Sequence, residues 1–120
     1  MNNFKYKNNE LYADEVAVKD LAAQYGTPLY IYSKSHLETQ FEELTKAMAE
    51  VEPLICYSVK ANSNASVLQT FIEAGSGLDI VSGGELFRAL RAGADPQKIV
   101  FAGVGKTVDE IKYALKENIL

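Results

Sequence analysis

The strongest constraint on this chain is a repeat. From residue 54 onward, short apolar runs alternate with helical periodicities, the runs lying roughly 20–25 residues apart. Leu54 to Lys60 reads as a strand, and Ala65 to Glu73 as a helix with Val67, Leu68, Phe71 and Ile72 inward. Gly75 and Gly77 end that helix. Leu78 to Ser82 reads as the second strand, and Ser82-Gly-Gly-Glu85 is a capping box opening a helix through Leu86, Leu90 and Arg91, which Gly93 terminates. Ile99 to Ala102 is the third strand. Thr107-Val-Asp-Glu110 caps a further helix carrying Ile111, Ala114 and Leu115. Parallel strands need a crossover between them, so this order predicts an α/β fold with a parallel sheet. Three such units close nothing by themselves, and a partial TIM-like (β/α)8 barrel is the expectation. A whole barrel takes about 250 residues, so the chain is expected to be the front portion of a larger protein.

Upstream, Pro28-Leu-Tyr-Ile-Tyr32 is short and aromatic and predicts a strand. Ser35-His-Leu-Glu38 has the form of a capping box, and Leu37, Phe41, Leu44 and Met48 follow at helical spacing. Pro53 punctuates the end of that region. The chain is 48% hydrophobic and 23% charged, with a formal charge of −4 and no block of like charge. That balance argues against nucleic acid or an anionic membrane as the main partner. The single Cys56 has no internal partner for a disulfide, and no apolar run has the length of a signal peptide or membrane span. A reducing, cytoplasmic setting is the expectation.

Within the first strand, Ile55, Tyr57 and Val59 form a bulky face, and Cys56, Ser58 and Lys60 a smaller, polar one. Period-two geometry sends the two sets to opposite sides of the sheet. The bulky side is expected to pack on helices and the polar side to face a barrel interior or crevice. Lys60 then ends an apolar stretch where water is scarce. Desolvation lowers an amine's pKa, and a neutral lysine amine is a nucleophile toward aldehydes. A snorkelling strand-end lysine is the plain alternative. In the second strand Asp79 opposes Leu78 and Ile80, so Asp79 is expected to share the space of Lys60 at the carboxyl ends of the strands. Its plain alternative is a strand-edge aspartate.

Gly103-Val-Gly-Lys-Thr107 looks like the tail of a phosphate-binding P-loop, but Val100 stands where that motif needs its first glycine. Lys106 therefore reads as a loop cation. His36, at the start of an amphipathic helix, reads as a surface side chain.

Four segments in order, Tyr25-Gly-Thr-Pro-Leu-Tyr-Ile-Tyr32, Tyr57-Ser-Val-Lys-Ala-Asn62, Gly77-Leu-Asp-Ile-Val-Ser-Gly-Gly-Glu-Leu86 and Phe101-Ala-Gly-Val-Gly-Lys-Thr107, carry a resemblance. Together they resemble the N-terminal part of the bacterial diaminopimelate decarboxylases, pyridoxal 5'-phosphate proteins with an alanine-racemase-like fold. The resemblance implies a β/α barrel joined to a β-domain, with residues 1–34 contributing to the β-domain and 35–120 beginning the cofactor-binding barrel. It implies that Lys60 holds pyridoxal phosphate as a Schiff base and that Asp79 lies by the cofactor. Ser82, Gly83, Gly84 and Glu85 match a motif near the family's site, although a capping box explains them equally well.

The implied reaction is decarboxylation of meso-diaminopimelate at its D centre to give L-lysine, by a cytoplasmic homodimer. The family's ring-stacking histidine, glycine-rich phosphate loop, pyridine-pairing carboxylate and substrate arginine match no position in these 120 residues, so the chain alone is expected to be inactive. Two alternatives stay open. One is a sister decarboxylase acting on ornithine, arginine or carboxynorspermidine. The other is a non-catalytic pyridoxal-phosphate-binding barrel, against which the Tyr25–Tyr32 segment argues.

Overall fold

A computed structural model describes residues 3–120. Its centre is a three-stranded parallel sheet in the order β4-β5-β6, formed by Cys56–Ser58, Gly77–Ile80 and Ile99–Phe101. Helices α3 (Ala65–Glu73), α4 (Gly83–Arg91) and α5 (Val108–Lys116) follow the three strands in turn. The three βα units read from the sequence are therefore present. Leu68, Leu78, Ile80, Leu86, Ala89 and Ile99 are fully buried and form one cluster with Val59, Ala92 and Ala114. Burying these side chains between sheet and helices is the main drive for the layer, at about 1.5–3 kcal/mol for each large aliphatic residue.

Each helix starts and stops where local chemistry requires. Asn64 caps α3 by accepting from the Ser66 amide, and Ser82 caps α4 by accepting from that of Glu85. The Ser82 box is only half formed, because the Glu85 carboxylate accepts from the Val81 amide (2.8 Å) instead of reaching back to residue 82. The Thr107–Glu110 box is complete. Gly75 and Gly93 follow α3 and α4 with φ of 95° and 93°, a left-handed conformation open to glycine at no steric cost.

Upstream, the structure departs from the expectation. Residues 4–17 form a small antiparallel sheet of β1 (Phe4–Lys7), β2 (Glu10–Ala13) and β3 (Val16–Ala17), followed by helix α1 (Val18–Tyr25). Lys7 pairs with Glu10 across Asn8-Asn9, whose φ angles of 52° and 63° are those of a type I′ hairpin turn. The predicted strand Pro28–Tyr32 does not form: among the described residues it joins no sheet, and Tyr30 is 89% exposed. Strand propensity alone gives an extended segment no ladder to join.

Helix α2 (Lys34–Ala47) also begins differently from the reading. Its N-cap is Ser33, which accepts from the His36 amide at 3.0 Å, so no Ser35–Glu38 box exists. Ser35 is spent elsewhere. Its hydroxyl and that of Ser33 (2.8 Å) both donate to Asp14 Oδ1, tying the antiparallel sheet to the start of α2. These hydroxyls, Ser35 foremost, hold the Asp14 carboxyl below its usual range. His36 is not the plain surface residue expected, being half-buried with Nδ1 shielded from solvent and unpartnered among the described residues. Of the stripe on α2, Leu44 and Met48 are exposed. No helix among the described residues is long and apolar enough to cross a membrane.

Two contacts fix the sheet and its helices to one another. At Gly77, an added Cβ would lie 2.5 Å from the Lys98 carbonyl oxygen and 2.7 Å from Cys56 Sγ, so only glycine lets β5 seat between its neighbours. Glu110 joins two helix starts: Oε1 accepts from the Gly83 amide (2.8 Å) and Oε2 from the Thr107 amide (2.9 Å). The Gly83 amide is the main reason its carboxyl titrates below the usual carboxylate range.

Replacing Gly77 by Ala is expected to cost about 1–3 kcal/mol, as overpacking against backbone does. Gly105→Ala, with open space around it, is the control expected to leave the thermal midpoint in place. For Glu110, a depressed carboxylate contributes stability above its unfolded pKa that is lost as pH falls through the folded one. Glu110→Gln is therefore expected to lower the midpoint at neutral pH, with the gap to the unsubstituted protein closing in acid.

Candidate active site at the carboxyl ends of the parallel strands

The parallel ladder pairs Cys56 with Gly77, Tyr57 with Leu78 and Ser58 with Asp79. Leu78 and Ile80 point into the helix layer and are fully buried, which leaves Asp79 on the opposite face of β5. Ser58 lies beside it on β4 and donates its hydroxyl to Asp79 Oδ2 at 2.9 Å. Asp79 Oδ1 is shielded from solvent and has no hydrogen-bond partner among the described residues. A buried acceptor left unpaired costs about 1–3 kcal/mol, so this oxygen is the most conspicuous unsatisfied group near the strand ends.

Tyr57 shows the other side of the alternation. Its ring stacks on Phe71 of α3 (centroids 4.0 Å apart, planes at 14°), and Phe71 meets Phe41 of α2 edge-on at 6.2 Å. The Tyr57 hydroxyl donates to the Asn62 carbonyl at 3.2 Å, and burial raises its pKa. Tyr57 therefore braces the turn after β4 and faces away from Asp79. Cys56 shares the polar face of β4; burial first, and then the charge of Asp79, push its thiol above the usual value. Such a thiol is a poor nucleophile.

Lys60 is placed differently from the reading. The strand closes at Ser58, and Val59–Ala61 form a single 3₁₀ turn in which Val59 is fully buried and Lys60 exposed. Past Ser58 the pleat ends, so period-two alternation no longer says where a side chain points. The desolvated strand-end lysine expected from the apolar run is corrected to an accessible lysine on the turn that leaves β4. Its ammonium has no hydrogen-bond or ion-pair partner among the described residues. Lys60 and Asp79 thus both belong to the carboxyl-end side of the sheet, Asp79 on a strand and Lys60 on the following turn.

The remaining motif residues serve as scaffold. Lys106 donates to the Gly103 carbonyl (2.7 Å) and lies 5.1 Å from the Phe101 ring centre, folded back on its own loop. That geometry matches a loop cation. Ser76, overlooked in the sequence, is a buried hydroxyl 3.0 Å from the Ile55 carbonyl and accepts from the Tyr57 amide at 3.2 Å. A serine between two glycines reads as a plain turn, and nothing local marked this bridging role.

A family model described as "Pyridoxal-dependent decarboxylase, pyridoxal binding domain" matches residues 34–120. The chain is 52% identical over 120 residues to a diaminopimelate decarboxylase of Vibrio cholerae, and 47% identical over 119 residues to one of Pseudomonas aeruginosa. Each alignment covers 99% of this chain and 29% of the relative. A crystal structure of diaminopimelate decarboxylase from M. jannaschii with L-lysine superposes with a TM-score of 0.91 at 32% identity, covering 98% of this chain and 28% of that one. The chain thus spans about three-tenths of the length of the relatives it matches. With three βα units in family order and a model covering most of its length, the chain belongs to the pyridoxal-dependent decarboxylases, in their pyridoxal-binding domain.

Proposed function

We propose that these residues form the opening portion of a diaminopimelate decarboxylase, and that Lys60 is the covalent anchor of its pyridoxal phosphate. The observation that carries the reading is the pairing of an accessible, unpartnered Lys60 with a buried, unsatisfied Asp79 oxygen on the same side of one parallel sheet. Those two groups fit the cofactor. An aldehyde needs an amine it can reach, and a cationic or hydrogen-bond-donating group needs an acceptor already in place. The named relatives of similar sequence, diaminopimelate decarboxylases in several bacteria, favour meso-diaminopimelate over ornithine, arginine or carboxynorspermidine.

When bound, the cofactor's conjugated ring accepts the electron pair left as a substrate α-carboxylate departs as carbon dioxide. The chain's own residues do the rest. Lys60 would hold the group through its exposed, unpartnered amine. Asp79 offers an unpaired acceptor oxygen on that side of the sheet, and Ser58 holds its other oxygen. Tyr57, stacked under the turn, fixes the backbone from which Lys60 projects. Glu110 clamps the loops that follow β5 and β6 to each other.

On the same reading, residues 1–34 belong to a β-domain and 35–120 to the barrel. The separate antiparallel sheet and the start of the family match at residue 34 support that division. A homodimeric assembly and a cytoplasmic location complete the proposal, by likeness to the family.

In a full-length chain carrying these residues, Lys60→Ala is expected to abolish the visible absorbance of lysine-bound pyridoxal phosphate. Carbon dioxide release from meso-diaminopimelate is expected to fall by at least about a thousandfold, a common size for loss of a covalent catalyst. An unchanged band in the variant would remove Lys60 from the role. A band that vanishes without release from meso-diaminopimelate in the unsubstituted protein would keep the anchor and move the substrate to a sister decarboxylase.

A further inference from the structure

Ser58 has no part in the chemistry just described beyond touching Asp79, yet its placement is specific. It is the register partner of Asp79 on the adjacent parallel strand, so both side chains leave the same face of the sheet. Its hydroxyl donates its one proton to Asp79 Oδ2 in a hydrogen bond of 2.9 Å between oxygens. A carboxylate turns freely about its last torsion unless something holds it. One hydrogen bond from a neighbouring strand fixes that torsion, and rigid strands set such groups more closely than loops do. The result is asymmetric: Oδ2 is satisfied within the sheet, while Oδ1 is buried with no partner among the described residues.

An ordinary structural pair would satisfy both oxygens or leave the spare one in water. Here neither holds. We propose that Ser58 is a positioning residue: it locks Asp79 through Oδ2 so that Oδ1 stays available to accept from the Lys60 amine or from a donor on the pyridoxal phosphate. The proposal rests on the cofactor reading above and adds a residue to it. Ser58 touches neither the cofactor nor the reacting atoms; it acts only through Asp79.

That dependence gives the test. A full-length chain carrying these residues is stripped of cofactor and titrated with pyridoxal phosphate, reading the absorbance of the bound form. Ser58→Ala is expected to weaken binding roughly fivefold to tenfold, the loss of one aimed hydrogen bond. Ser58→Thr, which keeps the hydroxyl, is expected to stay within about twofold of the unsubstituted protein. In an Asp79→Ala background, Ser58→Ala is expected to change nothing further, because its only route of action is gone. A purely structural serine would weaken binding equally in both backgrounds, and that result would overturn the proposal. So would unchanged affinity in Ser58→Ala. Should Lys60→Ala abolish the band while Ser58→Ala binds normally, the cofactor reading stands and Ser58's role falls. Should the unsubstituted protein bind no pyridoxal phosphate, both fall together.

Discussion

In a parallel pair of strands, residues travel together: placing Cys56 beside Gly77 brings Ser58 beside Asp79 with no further freedom. A slip of one residue in β5 would turn Asp79 into the helix layer and push both Leu78 and Ile80 out of it. The buried aliphatic pair therefore holds Asp79 in place, because exposing those two side chains would cost several kcal/mol. Gly77 makes the register attainable, since the Lys98 carbonyl and Cys56 sulfur occupy the space any side chain would need. The candidate site is thus a by-product of core packing: hydrophobic burial on one face aims a carboxylate on the other.

Much of this was legible in the sequence because it rests on periodicity. The strands at Tyr57, Asp79 and Val100, and the helices between them, follow from burial on one face. So does the assignment of Tyr57 to the helix side, which the stacked Phe71 satisfies. What escaped depends on partners distant in sequence. Ser35 looked like a cap, but Asp14, 21 residues earlier, claims its hydroxyl, and Ser33 takes over the helix start. Pro28–Tyr32 had the composition of a strand and found no ladder. The hairpin at Asn8-Asn9 left a signal, two residues tolerant of positive φ between short polar strands, too weak to stand against the aromatic run downstream.

Lys60 lies where alternation stops being a guide. Alternation placed it inside, but alternation ends with the pleat at Ser58, and the turn that follows buries Val59 instead. On that turn the amine is exposed and accessible to an aldehyde. Asp79 keeps one buried oxygen without a hydrogen-bond partner among the described residues, at the cost of an unpaired acceptor.

The proposed function requires that Lys60, of all the lysines, bond the cofactor. Borohydride reduction of the full-length protein with pyridoxal phosphate, followed by digestion and peptide mass mapping, tests it at one atom. A single pyridoxyl adduct is expected, on the peptide bearing Lys60. An adduct on Lys34, Lys106 or any other lysine in place of Lys60, or no adduct at all, would contradict it.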